Sequence, residues 1–208
     1  MRKPVFASFL KSRVFVCFDH LGGVLSQLRN SSSSNEEYMS KFKITESCYG
    51  RGKKESVFNY DEDEGWHTCG STSALNWIQI EMKNIYLSMR GYILMSYNFT
   101  CCHYPKSWYL EGRNSDKENW VLIDERTNEK DLDGPKRVKP FFNNKLSHCT
   151  FKIFRLTMAQ NIVHGSSSYT YVVLNEMDFI GQIYKTQVGS SHNKQCRKLM
   201  LIILLLIV

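Results

Sequence analysis

Apolar and polar positions alternate in short bursts over residues 75–187. In LNWIQIEM (75–82), Ile78, Ile80 and Met82 alternate with Gln79 and Glu81. That is the two-residue period of a strand with one buried face. IYLSMRGYIL (85–94), SWYLEG (107–112), NWVLI (119–123), TFKIFRL (150–156) and TYVVLNEMDFIG (170–181) repeat the theme. Within the last, Val172 and Leu174 share one parity and Met177 and Phe179 the other. A bulge near Asn175-Glu176 would let both pairs reach the core. Pro140 in VKPFF removes a backbone donor and predicts an edge strand.

No segment from 75 to 187 carries a 3.6-residue period, so crossover helices are absent from the expectation. Six or more short strands with turn signals between them predict an antiparallel sandwich or barrel. The SWYLEGRNSDKENWVLIDER stretch (107–126) reads as two strands joined by a polar reversal, with Trp108 and Trp120 as neighbouring fillers between the sheets. Earlier in the chain, HLGGVLSQLR suggests a short helix that Asp19 would cap and Gly22-Gly23 would weaken. Ser31–Ser34 reads as a loop, and residues 38–74 show no regular period.

Composition adjusts this picture in three places. The chain has 208 residues, 42% of them apolar, enough for one domain with terminal extensions. Its net charge of +7 is spread over small clusters separated by acids such as Asp61–Glu64. No recognition helix or zinc-finger spacing accompanies the basic residues, so nucleic acid is not an expected partner. The seven cysteines form no CxxC pair, which argues against structural zinc and favours free thiols in a reducing, cytoplasmic compartment. Two sequons, Asn30-Ser31-Ser32 and Asn98-Phe99-Thr100, would accept glycans only in a secreted chain. The apolar run after Met1 is cut by Lys11 and Arg13, too short for a signal peptide. Residues 199–208 are all apolar. As a helix they would reach about 15 Å, half a bilayer's hydrocarbon, so they suit a shallow membrane anchor with Arg197-Lys198 as collar rather than a span.

The order NWIQIEM, YILMSY, HYPKSWYLEGRNSDKENWVLIDER, DLDGP, FKIFRL and YVVLNEMDFIGQI resembles the coagulation-factor V/VIII type C, or discoidin-like, domain, most of all its protist versions. Trp108, Gly112, Arg113, Asn114, Ser115, Asp116 and Trp120 carry the most specific part of the resemblance. Phe154-Arg155-Leu156 stands for the family's arginine-bearing strand, and Glu176–Gly181 for its closing element. Arg113 and Lys117 depart from the usual serine and glycine of the turn. The cysteine pair that tethers the ends of secreted members has no clear counterpart.

The resemblance implies an all-β, antiparallel jelly-roll β-sandwich of the galactose-binding-like superfamily. It would occupy residues 20–187 and carry a short N-terminal helix. Residues 1–19 and 188–208 would be irregular extensions, the latter ending in the apolar tail. Such domains are binding modules whose variable loops meet sugars, lipid head groups or proteins, so the ligand must be argued from those loops. Under that topology three segments gather at one mouth: Gly65–Thr68, 96–106 and 159–170. They offer Trp66, Tyr97, Tyr104 and Tyr169 as aromatic faces, with His67, His103, Gln160, Asn161 and His164 as polar partners. Aromatic faces beside amides and imidazoles suit sugar recognition. The competing reading buries Trp66 in the core and lets the tyrosines cover sheet ends.

Cys101-Cys102-His103 lacks an orienting third group, so catalytic cysteine chemistry is not expected. Consecutive acids at 61–64 point in different directions and read as a solvated loop rather than a calcium site. The expectation is a non-catalytic module without cofactor or metal that binds a protein or glycan partner. The alternative is a peripheral membrane protein docking through 199–208. Oligomeric state is not legible.

Overall fold

The computed structural model describes residues 22–58, 65–72, 74–98, 103–143, 149–163 and 169–185. Asp19, the acidic run 61–64, Cys101-Cys102, His164 and the tail 199–208 lie outside the described residues. In chain order the elements begin with helices α1 (Val24–Asn30) and α2 (Asn35–Ser40), then strands β1 (Phe42–Glu46) and β2 (Tyr49–Arg51). A 3₁₀ turn (Lys54–Phe58) leads to β3 (Trp66–Thr68), β4 (Asn76–Met82), β5 (Tyr86–Met95) and β6 (His103–Arg113). β7 (Val121–Arg126), β8 (Val138–Phe142), β9 (Thr150–Phe151) and β10 (Ile153–Val163) follow, and β11 (Val173–Leu174) and β12 (Glu176–Tyr184) are the last of the described elements.

These strands build a β-sandwich. One layer is the five-stranded sheet β1-β4-β10-β6-β7; facing it is the four-stranded sheet β12-β5-β8, with β9 also on β5. A three-stranded sheet, β11-β3-β2, completes the set, and every strand-to-strand pairing is antiparallel. The alternation in NWIQIEM is realised: Ile78, Ile80 and Met82 are buried while Trp77, Gln79 and Glu81 face outward. Their inner side meets Trp108, Leu110, Phe154 and Leu156 from the same sheet and Leu87, Tyr92, Leu94, Met177 and Phe179 from the other, in one continuous core. Phe154 and Phe179 touch across the gap with ring centroids 4.9 Å apart. Burying a side chain of this size contributes roughly 1.5–3 kcal/mol, so this interface dominates the stability of the sandwich.

A polar chain crosses the same interface. Trp108 Nε1 donates to Tyr92 Oη at 2.8 Å, and Tyr92 Oη donates to Asp124 Oδ2 at 2.8 Å. Asp124 Oδ2 also accepts from Arg126 Nε at 2.7 Å, closing the chain with a cation. Burial and the adjacent Asp124 carboxylate push the Tyr92 phenol well above its ordinary range, so it stays a donor.

Four sequence expectations change. Trp120 is half-buried on the outer side, not in the core: its ring lies under Arg113 Cζ at 4.2 Å and Arg155 Cζ at 4.3 Å. Arg155 also covers Trp77 at 4.3 Å, so Trp77, Arg155, Trp120 and Arg113 form an alternating ladder on the outer face. No bulge marks Asn175-Glu176. Instead the chain leaves β11 and enters β12 there, changing sheets, which delivers Leu174 and Met177 to the core from opposite parities. The register shift falls later, between Ile180 and Gly181. Nor are all the thiols free: Cys48 and Cys69 form a disulfide, and Cys149 is disulfide-bonded as well.

The fourth change concerns α1. Its N-terminal amides are capped from the far end of the chain by Asp178, which is fully buried on β12. Asp178 accepts from Leu25 N at 2.8 Å, from Ser26 N at 3.2 Å and from the Ser26 hydroxyl. Gly23 is the residue this needs, because a Cβ there would lie 2.5 Å from the Asp178 carboxyl carbon. The predicted edge strand is found: among the described residues β8 pairs only with β5 and sets Pro140 opposite Ile93.

Candidate functional site

The residues at one end of the sandwich are placed by a short series of polar anchors. Asn76, at the start of β4 and almost fully buried, sends Nδ2 to both Cys69 O and Thr170 O at 2.8 Å. It thereby ties the segment after β3 to the segment before β11. The Cys48–Cys69 disulfide fastens the same point to the β1–β2 turn. Asn161 on β10 then holds the next residue: its Oδ1 accepts from Tyr171 N at 2.8 Å while its Nδ2 reaches Tyr104 O at 3.3 Å. On the other flank, Ser96 at the end of β5 accepts from Arg137 N at 2.8 Å and donates to Gly134 O. The Asp133-Gly134-Pro135 segment before β8 therefore also positions Tyr97, whose carbonyl accepts from Lys136 N at 3.2 Å. Gly134 adopts a φ of +121°, a conformation that favours glycine.

These anchors bring five rings together. Tyr171 is the hub: His103 lies 4.5 Å from it between centroids, His67 5.9 Å and Tyr169 6.4 Å. Tyr97 meets the other side of His67 at 6.2 Å, edge to face. Two glycines make room. A Cβ at Gly65 would fall 2.1 Å from the Tyr97 ring, and one at Gly70 would fall 2.6 Å from Tyr171 Cζ. His67 Nδ1 lies 2.8 Å from the Thr68 carbonyl; in the neutral tautomer that donates this hydrogen bond, Nε2 is the ring's acceptor. His103 Nε2 is enclosed and makes no hydrogen bond among the described residues. Burial, reinforced by nearby His67, lowers the His103 pKa from its ordinary value.

The nine residues expected at the mouth therefore divide. His67, Tyr97, His103 and Tyr169 join the cluster; Tyr169 is about half exposed, whereas Tyr97 is buried and supports His67. Trp66 is a core residue, fully buried, with Nε1 donating to Glu46 Oε2 at 2.9 Å. Tyr104 and Asn161 are also buried and act as scaffold beneath the cluster. Gln160 is exposed on β10 opposite Ser107, where that strand's register shifts. His164 lies outside the described residues. Sequence reasoning missed Tyr171, one position past the expected loop, and Asn76, read only as the start of a strand. The Tyr-Thr-Tyr spacing at 169–171 was the available signal. Among the described residues there is no group of three or more His, Cys, Asp or Glu placed to hold a metal.

What the cluster can do follows from its surfaces. Ring faces and edges offer apolar contact to C–H groups, while the His67 acceptor and phenol hydroxyls offer directional hydrogen bonds. Anchors on rigid strands hold this set in place, the arrangement typical of binding sites.

Comparison with known proteins agrees with the fold. No protein-family model matches the sequence, and no curated protein matches it. Solved structures do. Module CBM32-3 of a family 31 glycoside hydrolase from Clostridium perfringens is similar at 18% identity and TM-score 0.53, covering 68% of this chain and 92% of that one. The family 32 module of C. perfringens NanJ, solved with galactose, is similar at 12% identity and TM-score 0.52, over 70% of this chain and 95% of that one. An F5/8 type C domain from Bacteroides fragilis is similar at 12% identity and TM-score 0.54, over 69% and 93%. The chain thus has the discoidin-like, galactose-binding-like β-sandwich fold.

Proposed function

We propose that this chain is a non-catalytic carbohydrate-binding module whose ligand seats against the Tyr171 cluster. The observation carrying this reading is the convergence of His67, His103 and Tyr169 on Tyr171, with Tyr97 packed against His67. A pyranose presents a C–H face and a rim of hydroxyls, and this set supplies a partner for each. The galactose complex of the structurally similar NanJ module supports a sugar over a protein ligand.

A glycan array probed with the full chain, followed by calorimetry with the best-bound sugar, tests it. His67→Ala and Tyr169→Ala should each weaken binding about tenfold, the equivalent of one hydrogen bond or stacking contact of about 1.4 kcal/mol. Their melting temperatures should stay at the parent value, because neither side chain is in the core. Glu125→Ala, exposed on β7, is the control. A blank array, or variants that bind as the parent does, would overturn the proposal.

A further inference from the structure

We propose that Asn30 carries an N-linked glycan and that the chain matures in an oxidising compartment. This inference is independent of the sugar-binding reading, since it concerns a glycan attached to the protein at a different place. Its first support is the disulfide chemistry. Cys48–Cys69 is formed and Cys149 is also disulfide-bonded. Structural disulfides persist in secretory and extracellular environments and are rare in the cytosol. Such disulfides fit a compartment in which sequons act as acceptors, so the proposal sets the chain there rather than in the cytoplasm expected from free thiols.

The second support is local geometry. Asn30 is the last residue of α1, it is exposed, and its side chain makes no hydrogen bond among the described residues. Ser31, Ser33 and Ser34 beside it are exposed too, so a saccharide leaving Nδ2 projects over a small polar surface and displaces nothing. Ser32, which completes the sequon, sits in the same turn, its hydroxyl donating to Leu28 O at 2.7 Å and accepting from Lys41 Nζ at 3.0 Å. The second sequon is placed differently. Asn98 follows fully packed Tyr97, and its Oδ1 is enclosed. A glycan at Asn98 would have to pull that amide out beside the Tyr97–Gly65 contact, whereas one at Asn30 requires no rearrangement.

The chemistry is a transfer from a lipid-diphosphate-linked oligosaccharide. The Asn30 Nδ2 bonds to the anomeric carbon of the first sugar, the bond from that carbon to diphosphate oxygen breaks, lipid diphosphate leaves, and the amide gives up one proton.

The test uses the full chain expressed through the secretory route of a eukaryotic host, with intact mass, thiol alkylation and peptide mapping as readouts. The parent should be glycosidase-sensitive, with Asn30 converted to Asp on glycan release and Cys48 and Cys69 protected from alkylation. Asn30→Gln should abolish the mass shift, Ser32→Thr should preserve it, and Asn98→Gln should leave it unchanged. Secreted, disulfide-bonded chain lacking sugar at residue 30 would overturn the proposal. So would modification confined to Asn98, or Cys48 and Cys69 recovered as free thiols.

Discussion

Tyr92 links Trp108 to Asp124 through a single hydroxyl at the centre of the sandwich. Removing that oxygen leaves an indole N–H and a carboxylate oxygen each short of a partner. Tyr92→Phe should therefore cost about 1–3 kcal/mol, far more than its one lost atom suggests by area. Urea unfolding followed at equilibrium would read this directly. His103 supplies a second prediction at this scale. Its folded-state pKa lies below the ordinary imidazole value because the ring is partly desolvated beside His67. Between the folded value and about 6.5 the unfolded chain binds more protons, so stability falls as the pH drops through that interval and rises as it is raised. Melting curves from pH 7.5 to 5 should show this slope, and His103→Gln should flatten it.

Between strands, the outer ladder Trp77–Arg155–Trp120–Arg113 ties β4, β10 and β6 to the residue preceding β7. Each guanidinium–indole contact at this half-wet surface is worth about 1 kcal/mol, and Arg155 makes two of them. Arg155→Ala should destabilise by about 2 kcal/mol and red-shift emission from Trp77 and Trp120. Arg155→Lys should recover only part, since an ammonium cannot lie flat between two rings. The ladder also explains what the sequence concealed here. Gly112 pairs with Val121, so Trp120 falls opposite Arg113, five residues from Trp108 and on the other face of β6. Apolar residues occur on both faces of the 119–123 run, so alternation could not choose between them. The strands with one clean apolar face, such as β4, were legible; β1 was not, because Phe42 and Ile44 alternate over only five residues. Helix α2 had a readable start in Ser34, which accepts from Glu37 N at 3.1 Å, but the serine run before it mimics a loop. At the site, His67, Tyr97, His103 and Tyr169 were recognisable by residue type and segment. Their hub and its anchors were not, because Asn76 and Asn161 act through contacts distant in sequence.

Across the whole molecule, closure depends on contacts between remote segments. The Cys48–Cys69 bridge spans 21 residues and holds the end of β3, on which His67 stands. Replacing both cysteines with serine should lower stability by about 3 kcal/mol on chain-entropy grounds, read as a drop in the denaturation midpoint. In the same variant sugar affinity should fall, because the carbonyl of residue 69 is one of the two that Asn76 grips. The cap on α1 has a different consequence. Asp178 and Leu25 are 153 positions apart, so during translation the first helix emerges long before the carboxylate that completes it. Met177 and Phe179, two of the core fillers, arrive in the same late segment. Until the segment carrying Met177, Asp178 and Phe179 has left the exit tunnel, a nascent chain therefore lacks both the α1 cap and two of its core fillers, and the sandwich cannot close around the earlier strands.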